Sequence, residues 1–362
     1  MKIAFLAGSN AIHTVRWVNS LCERGHEVHL LSLHRGGDKI DPRVKRVTFP
    51  FPPALGYYLN LPFLQAYLRK IKPDLLNAHY ASGYGTLGRL SGFSPYVLSV
   101  WGSDVYDFPN QSARNRNLVV KNLRSADRVC STSHAMAQVT KNLCTILDCI
   151  SITPFGVDIR KFKPDVQPKK KNTLTIGTVK RLENKYGIDI LIRSFAAMRE
   201  NVKIKTPDLA KMLRLLIVGE GSDKENLIKL AADIGVGDVT WFEGAVPYAD
   251  VPVFLKKMDV YAAFSRLDSE SFGVAIIEAS ACGIPVVVSD VDGPCEVVKN
   301  DETGFIVPRE DVIASAAALE KLVINSALRS RLGAAGRTHV VNNYDWEESV
   351  DIMENVYKSV VL

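Results

Sequence analysis

Short apolar runs rich in β-branched residues recur along this chain, and each is followed by a stretch with helical spacing. In the first half they are KIAFLAG, HEVHLLSL, VKRVTFP, LLNAHY, YVLSVWG and RVCSTS. A second series begins at LTIGTV and continues with LRLLIVGEG, VTWFEGAV, VYAAFS, PVVVSD and GFIV. Near-continuous apolar strands alternating with helices predict parallel sheets covered on both faces. Between the two series lies GVDIRKFKPDVQPKKKN, residues 156–172, whose prolines and lysines read as a linker. The expectation is two doubly wound α/β domains. A length of 362 residues also suits two domains better than one.

Composition removes several other classes. Hydrophobic residues make up 47% and charged residues 23%, the balance of a folded globular chain. No apolar run approaches the roughly 18–20 residues of a membrane span. The start, MKIAFLAGSNAIHTVRW, reads as a first strand and lacks a cleavage signal, so a cytoplasmic home is expected. Six cysteines form no CxxC pair and no cluster with histidine, which predicts buried, reduced thiols and no metal centre. A net charge of +6 suits an anionic small molecule or an acidic membrane surface and does not call for nucleic acid.

Ligands of open parallel sheets bind beyond the carboxyl ends of the strands, so candidate residues should follow strands. The segment SESFGVAIIEASACG, residues 269–283, meets that condition. It leaves the strand DVYAAFS through a loop containing Glu270 and turns helical from Phe272, with Val274, Ile277 and Ala281 on one face. Gly283 and Pro285 end the helix. A helix start with Gly273 at its mouth offers free backbone N–H groups to phosphate. Glu278, one turn further in, suits the hydroxyls of a ribose. Taken alone, Glu270 is equally a solvated loop charge and Glu278 a surface charge. Arg181 and Lys185 follow LTIGTV and point to the same sheet edge, where fixed cations meet a diphosphate leaving group. Gly219 follows another strand in GEG, a weak turn-like signal.

The pattern E-S-F-G-V-A-I-I-E resembles the Glu-x7-Glu motif of retaining glycosyltransferases of the GT-B fold, the large family 4 group. The resemblance extends through RGHEVHLLS, PFGVDIRKFKP, RLENKYGIDILI, LIVGEG, EASACGIPVVVSDVDGPCEVV, ETGFIVP and LGAAGR in the expected order. It implies two Rossmann-like domains facing a central cleft. Residues 1–158, completed by a C-terminal helix at 345–362, would form the acceptor side, and 159–344 would bind the nucleotide sugar. It further implies sugar transfer from a nucleotide-diphosphate donor with retention at the anomeric carbon, without a cofactor or essential metal. Glu270 maps to the glutamate beside the donor sugar and Glu278 to the one that holds the ribose. Ser271, Phe272, Gly273 and Val274 map to the distal-phosphate loop, Arg181 and Lys185 to the diphosphate, and Gly219 to the nucleotide sugar.

Two departures stand out. Relatives place lysine directly before the glycine, whereas here Lys185 is followed by Tyr186 and Gly187. Many also carry histidine after a strand of the first domain, where this chain has Trp101-Gly102-Ser103-Asp104. Tryptophan takes no proton; Trp101 is expected to stack on a sugar and Asp104 to bind a hydroxyl, with structural roles equally open. Gly8 and Ser9 are expected near the donor, and His13, Arg16 and His79 near the acceptor. FPFPPALGYYLNLPFLQAYLRKIK and the cations of ARNRNLVVKNLR suggest a face for anionic lipid, peripheral on the inner side of the cell membrane, or else a core helix with solvated charge. The acceptor expected is then a saccharide, lipid-linked, in bacterial surface polysaccharide assembly. A dinucleotide oxidoreductase is disfavoured because AGSNAIH lacks the G-x-G-x-x-G spacing. A nucleotide-sugar epimerase of the same fold and a non-catalytic scaffold remain as alternatives.

Overall fold

The computed structural model describes residues 1–36, 39–145, 149–165 and 172–362. The chain divides into two compact units, 1–154 with 347–362, and 155–346. Residues 166–171 of the expected linker lie outside the described residues. The second unit begins ahead of residue 158 because its first residues pack into it. The Val157 N–H donates to the Tyr344 carbonyl at 2.8 Å, and the Phe155 ring meets Phe272 edge-on at 5.9 Å.

In the first unit seven parallel strands form one sheet: β1 (Lys2–Leu6), β2 (Glu27–Ser32), β3 (Lys45–Thr48), β4 (Leu75–His79), β5 (Tyr96–Val100), β6 (Arg128–Ser131) and β7 (Ile150–Ile152). Their order is β3-β2-β1-β4-β5-β6-β7. Six of them are the apolar runs of the sequence. The three-residue, half-buried β7 pairs only with β6 and is too short to carry a pattern of its own. Leu6, Leu31, Leu76, Leu98 and Val129 join the core on this sheet. The helix Trp346–Val361 closes the unit, with the Tyr357 hydroxyl donating to Asn77 Oδ1 at 2.7 Å and His26 bonded to Glu354 at 2.8 Å.

The second unit has six parallel strands, β8 (Leu174–Val179), β9 (Leu213–Val218), β10 (Thr240–Gly244), β11 (Val260–Ala263), β12 (Val286–Ser289) and β13 (Gly304–Val307). They run in the order β10-β9-β8-β11-β12-β13. The sequence winds outward from β8 through β9 and β10, then returns to the other side of β8 at β11. That reversal sends the crossovers to opposite faces and opens a crevice beyond the carboxyl ends of β8 and β11. Ile176, Leu191, Phe195, Leu215, Val260 and Leu319 pack its core. Both units therefore reverse direction beside their first strand, at β1 and β4 in one and at β8 and β11 in the other.

All six cysteines are free thiols; Cys22, Cys130, Cys144 and Cys282 are buried, as the reading of buried thiols has it, whereas Cys149 and Cys295 are exposed. No helix among the described residues is long and apolar enough to cross a membrane.

Candidate active site

The crevice of the second unit is built by the segments that leave β8 and β11. Lys180 is the first residue after β8, and Glu270 closes the loop after β11. The Lys180 ammonium donates to Glu270 Oε1 at 2.6 Å, with the two side chains only 10% and 12% exposed. Burial pulls the Lys180 pKa down, but the Glu270 carboxylate outweighs it and holds the ammonium above its usual value. The expectation that Glu270 is merely a solvated loop charge does not fit this pairing.

Sequence reasoning passed over Lys180 in favour of its neighbours. Arg181 turns outward, 73% exposed, and pairs with Glu183 at 2.8 Å. Lys185 lies 4.8 Å from the Tyr186 ring centroid, and Lys180 lies 5.0 Å from the same ring. Both ammonium groups thus lie within cation–π reach of one tyrosine ring. The signal for Lys180 was available, since it immediately follows a strand.

The Glu270 loop is braced on several sides. Arg266 grips Asp189 through two hydrogen bonds of 2.9 and 2.7 Å and reaches Glu310 at 2.9 Å. Arg309 bonds Asp268 at 3.0 Å, and the Ser289 hydroxyl donates to the Ser265 carbonyl at 2.6 Å. Bidentate arginine pairs fix direction as well as distance. Glu270 is consequently held in place before any ligand arrives.

The helix Val274–Ala281 begins two residues inside the expected start at Phe272. Gly273 adopts a left-handed φ of 87°, and a Cβ there would lie 2.9 Å from Ile276 Cδ1, so other residues are strained at this cap. Ser271, Phe272 and Gly273 are buried, Val274 is half-buried, and Ile276 through Ala281 are enclosed on every side. Glu278 is 4% exposed and accepts a hydrogen bond from the Tyr248 hydroxyl at 2.8 Å, which rules out a solvated surface charge. Tyr248, on the segment after β10, had no sequence signal linking it to Glu278. Gly219 holds φ at 146°, and a Cβ would lie 1.8 Å from the Lys180 carbonyl oxygen. Its evident job is to let the β9 exit pass against the segment that carries Lys180.

The residues singled out in the first unit gather at its own reversal, after β1, β4 and β5. The Ser9 hydroxyl donates to the His34 carbonyl at 2.6 Å, and Gly8 borders His34 and Asn10. His79 is fully buried, stacked on Phe5 at 4.2 Å and against Trp101 at 4.7 Å. Trp101 also meets His13 and Tyr80 edge-on at 5.9 and 5.4 Å. His13 and Arg16 sit half-buried on the helix Ile12–Glu23. Asp104 is enclosed and accepts the N–H groups of Ala81 at 2.7 Å, Trp101 at 3.1 Å and Gly102 at 2.8 Å. Burial raises its pKa against the pull of those bonds. Both carboxylate oxygens thus tie the β4 exit to the β5 exit, a bracing job where a sugar hydroxyl was the expected partner.

Burial lowers the His79 pKa to about 3, and neither ring nitrogen has a hydrogen-bond partner among the described residues. The unfolded chain takes up this proton near 6.5, so the contribution of neutral His79 to folding stability is complete above that pH and is lost progressively as pH falls toward 3. His79→Phe, which keeps the stack on Phe5, should flatten the decline by about 1 kcal/mol per pH unit. Urea midpoints between pH 6.5 and 4 would reveal this; parallel slopes in the two proteins would refute it.

The family sequence model described as "Glycosyl transferases group 1" matches residues 159–339, and "Glycosyl transferase 4-like" matches residues 2–133. A GDP-mannose-dependent alpha-(1-6)-phosphatidylinositol monomannoside mannosyltransferase of Mycolicibacterium smegmatis is 33% identical over 206 residues, 53% of this chain and 52% of that protein. The match therefore spans about half the length of such curated relatives. Among solved structures, sucrose-phosphate synthase from Thermosynechococcus elongatus superposes with a TM-score of 0.81 at 20% identity, covering 99% of this chain and 98% of the other. Anabaena HepE in complex with UDP and glucose gives the same TM-score at 18% identity, covering 99% and 100%. These likenesses establish the GT-B fold. With the group 1 match covering half of its residues, the chain belongs to the glycosyl transferases group 1 family.

Proposed function

We propose that this protein is a retaining, metal-independent glycosyltransferase that moves a sugar from a nucleotide-diphosphate donor to a saccharide acceptor. The acceptor is lipid-linked and belongs to bacterial surface polysaccharide assembly, with the enzyme peripheral on the inner face of the cell membrane. The observation that carries the reading is the buried Lys180–Glu270 pair at the strand reversal of the second unit, beside the start of Val274–Ala281. The names of similar proteins, one using GDP-mannose and one solved with UDP and glucose, support a nucleotide-sugar donor.

In this reading the donor diphosphate rests on the backbone at Ser271–Val274, where the helix end is positive. Lys180 and Lys185 offset the charge that grows on the departing phosphate, a part that the outward-turned Arg181 does not take. As the anomeric bond loosens, Glu270 orients the sugar and stabilises its positive character. The acceptor hydroxyl attacks from the face the diphosphate is leaving, and its proton passes to the leaving phosphate oxygen. Glu278, oriented by Tyr248, takes the ribose hydroxyls.

The test is a thermal-shift screen against UDP, GDP and ADP, since a ligand selective for the folded state raises the melting temperature. One nucleotide should stand out, and Glu278→Ala should weaken its binding about tenfold or more by calorimetry, through loss of charge-assisted hydrogen bonds. A chain that no nucleoside diphosphate stabilises would not fit the proposal.

A further inference from the structure

The helix Leu61–Ile71 and the turn before it are apolar on two sides. Leu64 and Leu68 face the core. On the outer side Leu55, Leu59 and Phe63 are exposed, Leu55 to 73%, and Phe51 packs its ring 6.2 Å from Phe63. This outer stripe runs into exposed Arg69 and Lys70 at the helix end. A core helix needs only one apolar face, so the second has no use within the unit.

Directly beside the stripe, between Gly56–Leu59 and the helix Ala113–Arg124, lies a pocket of about 850 Å³. Tyr57, Tyr58 and Phe108 line it together with Arg89, Arg114 and Lys121. No carboxylate lines it among the described residues. Arg89 is positioned by a 2.8 Å hydrogen bond from its Nε to Asn122 Oδ1, and Tyr57 is wedged against Gly83, where any Cβ would collide with its ring. Tyr58 belongs to both features, lining the pocket while itself exposed. The pocket is thus cationic, aromatic-walled and open next to an apolar shelf.

We propose that this pocket receives the phosphate headgroup of an anionic membrane lipid while Leu55, Leu59 and Phe63 rest in the interfacial layer of the bilayer. Apolar side chains gain by entering that layer, and each nearby cation gains from the lipid phosphates. Arginine and lysine grouped without a carboxylate are suited to phosphate, and the adjoining shelf selects a phosphate carried on a lipid over a free one. The inference rests on the membrane-facing part of the functional reading and is independent of the donor site in the other unit.

Flotation with phosphatidylcholine vesicles, with and without phosphatidylglycerol, tests it. The wild-type protein should float with the anionic vesicles and not the neutral ones. Arg114→Ala with Lys121→Ala should weaken that partition about tenfold or more. Leu55→Ser with Phe63→Ser should weaken it as well. Melting temperature and its shift with nucleoside diphosphate, followed on the same variants, should stay at wild-type values, which separates loss of lipid binding from misfolding and from failure of the donor reading. Flotation of the double charge variant equal to wild type overturns the pocket. Absence of flotation by the wild type overturns the docking surface. Release by inorganic phosphate, but not by chloride of equal ionic strength, overturns the lipid as the source of the phosphate.

Discussion

Glu270→Gln should lower kcat by about 10²-fold or more, the usual cost of losing one preorganised electrostatic group at a site of developing charge. The amide keeps the shape and can still accept a hydrogen bond from Lys180 across the 2.6 Å contact. What it loses is the negative charge that would face an anomeric centre turning cationic. Nucleotide binding should change little, because the proposed diphosphate and ribose contacts lie on Ser271–Val274 and Glu278. The measurement is steady-state turnover with the donor chosen by the thermal-shift screen, beside calorimetry of the product nucleotide. Turnover at the wild-type level would remove Glu270 from the chemistry.

The second large effect concerns its partner. Lys180→Met keeps the length of the side chain and removes the ammonium, leaving Glu270 buried without its counter-charge. Removing one member of a buried pair typically costs about 3–5 kcal/mol of stability. The slight exposure of both side chains puts this pair toward the lower end. Turnover should fall about 10²- to 10³-fold, because the cation proposed to face the leaving group is gone. The double variant Lys180→Met with Glu270→Gln separates the two roles. It no longer contains an unpaired buried charge, so stability should recover substantially, while turnover should remain at the level of the weaker single variant or below. Recovery of both would make the pair a structural device only. The same cycle gives the coupling energy between the two groups directly.

The strands were readable because burial on both faces demands unbroken apolar runs, and a run such as LTIGTV has few other homes. The start and end of Val274–Ala281 were readable for a similar reason. Gly273 and Gly283 both take left-handed backbone, at φ 87° and 74°, and residues with that freedom punctuate helices. The two glutamates could be placed relative to that helix, one before it and one in its second turn. Which way their side chains face could not be read, since a carboxylate in a loop is solvated far more often than it is paired.

Lys180 shows where local reading stops. Three cations, Lys180, Arg181 and Lys185, leave β8 within six residues. Spacing gives no reason to prefer the first, yet it alone turns inward to Glu270 while Arg181 faces solvent. Glu278 and Tyr248 lie 30 positions apart, on segments after different strands. Asp104 looked like a ligand for a hydroxyl because nothing in WGSD reveals that Ala81, from the preceding strand exit, donates its N–H to the same carboxylate.

The sequence by itself determined every strand but β7, the helix that carries Glu278, and the division into two halves, because backbone hydrogen bonding and burial act over a few residues and leave a periodic mark. Only the tertiary structure decided that β8 lies between β9 and β11, and therefore that Lys180 and Glu270 meet. Strand order is set by crossovers and by packing among residues far apart in the chain. Contacts of that kind leave no period to read.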